Sequence, residues 1–335
     1  MERGVVAVVA VLVLRGAVGP VHFPAGRPLS ANGTTSAHLG EDLPLLRRHL
    51  QSGLALTDYT AIEMSARPAG GVWAMGGNEY GQLGLGAADD DAHPTAAQLA
   101  ALGSGVVQVA AGQYFSAALT AGGEVYLWGS NEHGQMANGE CSSNTHLGCG
   151  DDHCCCDACL GQDVAAPARV AALGTDTVQL ALGGSHALAL KQGGAVFCWG
   201  YGSSGRLGLG DTDDRLSPTE VTGLGTDNAY IAAQMNGGMA LKSDGRLFNW
   251  GWNYYNQLGD GTTTDRLSPV ELAAVGSDNA HVVGGSSHAL LLKADGSVLS
   301  WGLNQFGQIG NGECYSTSSS TSCTGSSHQV RCPFS

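Results

Sequence analysis

Residues 196–218 read VFCWGYGSSGRLGLGDTDDRLSP, and residues 247–269 read LFNWGWNYYNQLGDGTTTDRLSP. Each is an apolar run closing on Trp-Gly, then a glycine-rich turn, then a proline 18 residues beyond the glycine of the Trp-Gly pair. Working outward, the opening run recurs as Val72–Gly76, Val125–Gly129 and Val298–Gly302, with Met75 in place of tryptophan in the first. The turn recurs as Gly81-Gln-Leu-Gly84, Gly134-Gln-Met-Ala137, Gly205-Arg-Leu-Gly208, Asn256-Gln-Leu-Gly259 and Gly307-Gln-Ile-Gly310. The closing prolines are Pro94, Pro167, Pro218, Pro269 and Pro333.

The spacing of these marks is regular. From proline to the next Trp-Gly glycine there are 33 residues three times and 35 once, so the period is 51. The second and fifth units are longer, by 20 and 13 residues. An upstream half-unit begins at Pro44, and Leu56–Arg67 resembles Leu182–Lys191 within it. Inside a unit, Val106–Ala110, Ser116–Leu119 and Val125–Trp128 read as short strands. They are separated by glycine turns such as Lys242-Ser-Asp-Gly245 and Lys293-Ala-Asp-Gly296. Short strands repeating at a period near 50 specify a β-propeller, because one such unit cannot bury both its faces without stacked neighbours. The expected fold is all-β, a propeller of about five blades over residues 44–335.

Composition agrees. Glycine supplies 52 of 335 residues without a collagen period, which suits many tight turns. Lys plus Arg number 15 against 29 Asp plus Glu, a formal charge of −14. No basic tract exists to track a phosphate backbone, so nucleic acid is not expected as a partner. At the N-terminus, Arg3, the apolar run Val5–Leu14 and the small residues Gly16, Ala17 and Gly19 have the layout of a secretory signal peptide. The run is too short to span a bilayer. The expected organisation is a signal peptide at 1–19, a linker at 20–43 and then the propeller. The protein is expected to be secreted or held in the secretory lumen, with a cytoplasmic or nuclear location as the alternative. Asn32-Gly-Thr34 is a glycosylation sequon.

The unit resembles the repeat of the regulator of chromosome condensation family: a strand, a glycine-rich turn ending in histidine, a second strand, then Trp-Gly and Gly-Gln-Leu-Gly. The histidine is kept as His186 and His288, and Phe115 and Gly237 stand in its place in two units. The resemblance assigns structural roles to Gly76, Trp128, Gly129, His186, Trp199, Gly200, Trp250, Gly251, His288, Trp301 and Gly302. The family builds seven blades, so five imply either a smaller ring or part of a larger one. The founding member is an exchange factor for a nuclear Ran-type GTPase. The resemblance therefore implies regulation of a small GTPase as an alternative function.

Both insertions open with Asn-Gly-Glu-Cys. The longer, 139–160, holds Cys141, Cys149, Cys154, Cys155, Cys156 and Cys159; the shorter, 312–332, holds Cys314, Cys323 and Cys332. Cys141–Cys149 and Cys314–Cys323 read as equivalent disulfide-closed loops, with the remaining connectivity open. The competing reading is zinc on Cys154, Cys156 and Cys159 with His153, since Cys156-x-x-Cys159 has ligand spacing. A leader favours disulfides. Cys198 reads as a buried thiol. The histidines read as packing and hydrogen-bonding groups between blades. Lys191, Lys242, Lys293 and Arg67 share one repeat position and read as solvated strand ends. Asp89–Asp91 and Asp211–Asp214 read as solvated turns. No motif for a catalytic nucleophile, phosphate loop or dinucleotide is present, and no cofactor is expected. The function expected is a non-enzymatic platform whose stapled loops bind a protein partner.

Overall fold

The computed structural model describes residues 10–14, 71–141, 162–311 and 330–332. Its strands form five antiparallel sheets. The first contains β1 (Ala10–Leu14), β2 (Gly71–Asn78) and β3 (Asp89–Gln98). The second contains β4 (Val106–Ala111), β5 (Phe115–Thr120), β6 (Val125–Gly129) and β7 (Val164–Arg169). The third contains β8 (Thr177–Leu182), β9 (His186–Lys191), β10 (Val196–Gly200) and β11 (Arg215–Glu220). The fourth contains β12 (Asn228–Gln234), β13 (Gly237–Lys242), β14 (Leu247–Gly251) and β15 (Arg266–Glu271). The fifth contains β16 (Asn279–Gly284), β17 (His288–Lys293), β18 (Val298–Gly302) and β19 (Val330–Cys332).

The leading strands β4, β8, β12 and β16 pack side by side in chain order, and β1 lies against β4. Apolar residues fill the space between successive sheets. Leu188 and Leu190 of the third sheet, for example, meet Ile231, Ala240 and Trp250 of the fourth. Five stacked blades of this kind are the expected propeller.

The Trp-Gly mark now has a physical reason. Trp128, Trp199, Trp250 and Trp301 are wholly buried or nearly so. Each indole donates to a carbonyl of the preceding blade: Gln82 O at 2.9 Å, Gln135 O at 2.8 Å, Arg206 O at 3.1 Å and Gln257 O at 2.9 Å. The apolar ring fills the layer, and its one polar atom is satisfied. The last glycine of the turn makes room for it. A Cβ on Gly84, Gly208 or Gly259 would stand 2.7–2.9 Å from the indole of Trp128, Trp250 or Trp301. In the second unit this position is Ala137, held at φ 55°.

The first sheet departs from the expected layout. Ala10–Leu14, the heart of the run read as a leader, pairs antiparallel with Gly71–Met75. An uninterrupted Val/Leu segment has strand propensity as well as leader character, and β2 offers it an edge. The half-unit expected at 44–67 lies outside the described residues.

Candidate functional site

In every four-stranded blade the turn between strands one and two and the loop between strands three and four emerge at the same end. Ser130, Tyr201, Trp252 and Leu303 N–H groups bind Tyr114, Ser185, Asn236 and Ser287 carbonyls across that end. The loops are pinned from beneath by asparagines that the sequence reading did not single out. Asn78, Asn131, Asn253 and Asn304 are buried. Their Oδ1 atoms accept from Leu83, Met136, Leu258 and Ile309 N–H at 3.0–3.2 Å. Asn253 also donates to Asp260 and to the Thr262 and Thr264 carbonyls, and its own N–H reaches Asp265. Their constant place, two residues beyond the Trp-Gly pair, was the available signal. Gln82, Gln135, Gln257 and Gln308 brace the tips by accepting Tyr80, His133, Tyr255 and Phe306 N–H at 2.7–2.9 Å.

The pinned tips carry aromatic side chains outward. Tyr254 is 64% exposed, Tyr255 41% and Phe306 81%. Trp252 stacks on Tyr254 at 6.1 Å, and Tyr255 sits edge-on to both. The third unit differs. Arg206 replaces glutamine, donates to Ser203 O and Asn236 Oδ1, and lies 4.3 Å from the Tyr201 ring. Burial lowers its pKa. His133, from the blade before, stacks on Tyr201 at 3.9 Å and pairs with Asp214 at 3.1 Å.

The opposite end of the blades is closed. The lysines expected to be solvated are buried there. Lys191 and Lys242 bind Asp176 and Asp227 at 2.5 Å. They also bind the Leu173 and Leu224 carbonyls. Lys293 binds Asp278, the Val275 carbonyl and Asn279. The correction has a simple cause: a 3-10 turn before each leading strand presents a carbonyl and a carboxylate that the long side chain reaches from the end of strand two. The Lys hydrogen bond holds each of these carboxyls below its ordinary pKa. Asp89–Asp91, read as a turn, opens strand β3 instead.

Among the residues assigned from the repeat, Gly76, Gly129, Gly200, Gly251 and Gly302 take φ of 95–120°, and a Cβ on Gly129 would meet Tyr114 O at 2.4 Å. His186 is wholly buried and donates Nε2–H to Gly237 O of the next blade at 3.2 Å. Desolvation, with Arg206 adding to it, lowers its pKa to about 3, so the ring is neutral. His288 is lowered by burial alone. Cys198 is buried in β10 and burial pushes its thiol up. Cys141 is buried at the root of the long insertion. Cys149, Cys154, Cys155, Cys156, Cys159, Cys314 and Cys323, with His153 and Asn32, lie outside the described residues, so the disulfide and zinc readings do too. Among the described residues no group of three His, Cys, Asp or Glu side chains could hold a metal ion. No helix there is long and apolar enough to cross a membrane.

Blades tied by indole–carbonyl bonds, with variable loops gathered at one end, define a repeat propeller with a loop-bearing face. The chain belongs to the regulator of chromosome condensation (RCC1) repeat family, whose repeat model matches residues 69–119, 193–233 and 244–292. A second model of the same repeat matches 106–135, 177–206 and 280–308. The ultraviolet-B receptor UVR8 of Arabidopsis thaliana is 32% identical over 278 residues, covering 72% of this chain and 63% of the receptor. The probable E3 ubiquitin-protein ligase HERC4 of Rattus norvegicus is 31% identical over 68% of this chain, but only 20% of the ligase is covered. This chain thus spans about three fifths of the receptor and a fifth of the ligase. Human WBSCR16 shares the fold, with a TM-score of 0.63 at 24% identity over 78% of this chain and 63% of that one. Prp20p of Saccharomyces cerevisiae, described with its binding to Gsp1p and histones, gives a TM-score of 0.54 at 29% identity, covering 70% and 53%.

Proposed function

We propose that the protein is a non-enzymatic interaction platform that engages a protein partner through its loop-bearing face. The observation that carries this reading is the aromatic group Trp252, Tyr254 and Tyr255 with Phe306, displayed on loops fixed by buried Asn253 and Asn304. Aromatic anchors held rigidly are what productive interfaces use, because little side-chain entropy remains to be lost on binding. The two cysteine-rich insertions leave from the same loops, and disulfides there would pre-order further contacts. A photo-crosslinking residue at Tyr254 or Phe306 of the full chain is expected to give a defined protein adduct in cells. The same residue at Asp244, at the opposite end, is expected to give none. Equal crosslinking from both ends would overturn the reading.

The route through the secretory pathway is also proposed. It rests on the N-terminal layout, and cleavage there would remove β1. Intact mass after expression in eukaryotic cells tests it: loss of about 17–25 residues supports the leader, and a retained Ala10–Leu14 supports the strand. The alternative, exchange-factor activity on a small GTPase, rests on the family resemblance, and the described binding of Prp20p to Gsp1p supports a partner of the kind it requires. Unaccelerated nucleotide release from a Ran-type GTPase would exclude it.

A further inference from the structure

A cavity of about 440 Å³ opens on the loop-bearing face where the first and second blades meet. Its wall includes Tyr114, Asn78 and Gln82, and its rim carries Glu79, Asp90 and Asp91. Tyr80 packs on Tyr114 with ring centroids 4.8 Å apart. Asp89, the neighbouring carboxylate, is already engaged by His93 and Asn78. Glu79, Asp90 and Asp91 are exposed and have no ion pair among the described residues.

Gln82 is 1% exposed, and its amide orientation is set because Oε1 accepts the Tyr80 N–H at 2.9 Å. Its Nε2 has no partner among the described residues, a donor left at the cavity wall. Burial raises the pKa of Tyr80, with Glu79, Tyr114, Glu132 and Asp163 adding to it, and the carboxylates of Glu79, Asp90 and Asp91 make the rim electronegative. The carboxylates are not grouped to chelate a metal. A larger, softer cation fits better: carboxylates at the rim, an aromatic wall for its face and an amide donor for an adjacent carbonyl.

We propose that this cavity seats a lysine or arginine side chain from a basic segment of the protein partner. Glu79, Asp90 and Asp91 would take the cationic head, Tyr114 its flank, and Gln82 Nε2 a peptide carbonyl beside it. The overall charge of −14 favours such a partner. The inference rests on the platform reading and adds the partner's chemistry.

The test uses the full chain and a fluorescent, end-blocked decapeptide of alternating Ala with Lys and Arg, followed by anisotropy at about 0.15 M salt, where long-range attraction is screened. The wild-type chain is expected to bind. The triple variant Glu79→Gln, Asp90→Asn, Asp91→Asn is expected to lose at least tenfold. Tyr114→Ala should lose severalfold, with Tyr114→Phe near wild type. Glu220→Gln, a carboxylate on another blade edge, should leave affinity unchanged. Equal losses from Glu220→Gln and the triple variant would overturn the proposal as general electrostatics. So would unchanged binding by the triple variant, or displacement of the peptide by stoichiometric calcium. If peptide binding fails while crosslinking from Tyr254 and Phe306 persists, the cavity assignment falls and the platform remains. If crosslinking fails as well, both fall.

Discussion

The two ends of the blades are built from the same repeat and treated oppositely by the fold. At one end, Lys191, Lys242 and Lys293 repeat in the third, fourth and fifth blades, with Thr120 at that place in the second, and each lysine is consumed by an aspartate and a carbonyl of its own blade. At the other, asparagine and glutamine repeat underneath in four of the five units, with Gly202 and Arg206 in the third, while the residues above the pairs change from Tyr80 to His133, Tyr255 and Phe306. Recurrence marks groups that hold the blade together, and variation above a recurrent base marks groups free to specify a partner.

Breaking that contrast should cost most at its base. Asn253→Ala removes the acceptor for Leu258 N–H and the amide donor shared by Asp260, Thr262 and Thr264 at a fully buried site. A loss of about 3 kcal/mol is expected in urea unfolding, with several buried groups left unpaired. Lys242→Met should lose about 2 kcal/mol, since the Leu224 carbonyl loses its donor while half-exposed Asp227 returns to water. Ala137→Gly should gain about 0.5–1 kcal/mol by relieving the left-handed backbone beside Trp199. Tyr254→Ala, by contrast, should change stability by no more than about 0.5 kcal/mol while abolishing partner capture. A comparable stability loss there would erase the distinction between the two ends.

Acid titration sharpens it further. His186 binds its proton only near pH 3 when folded, whereas the unfolded chain binds it near 6.5. Between those values the unfolded state holds more protons, so stability falls as pH is lowered through this window. His186→Asn should flatten the thermal-melting curve above pH 4. The depressed Asp176, Asp227 and Asp278 carboxyls act lower down. Their contribution is full above the ordinary aspartate pKa and disappears as pH drops through the folded values, so that loss should persist in the variant.

The propeller was legible because the indole, its acceptor turn and the small residue beside it are all fixed in type and spacing. The lysines were misread because exposure is a property of the turn packed against them. Yet each stands 15 residues after its aspartate, a regularity available in the chain. The aromatic loops were readable as loops but not as a display, since only the packing shows that Asn253 points down and Tyr254 up. Ala10–Leu14 was the hardest case, because an apolar run carries the same letters whether it leads a chain through a membrane or fills the edge of a sheet.

The indole bonds all point backwards along the chain. Each tryptophan keys onto a carbonyl 44 to 64 residues before it. On a ribosome, the socket is therefore always exposed before its key is made, and every blade can dock as soon as its third strand emerges. Met75 stands in the one described blade that has no earlier described blade to key onto. For the indole contacts, assembly by successive addition is written into the direction of four hydrogen bonds.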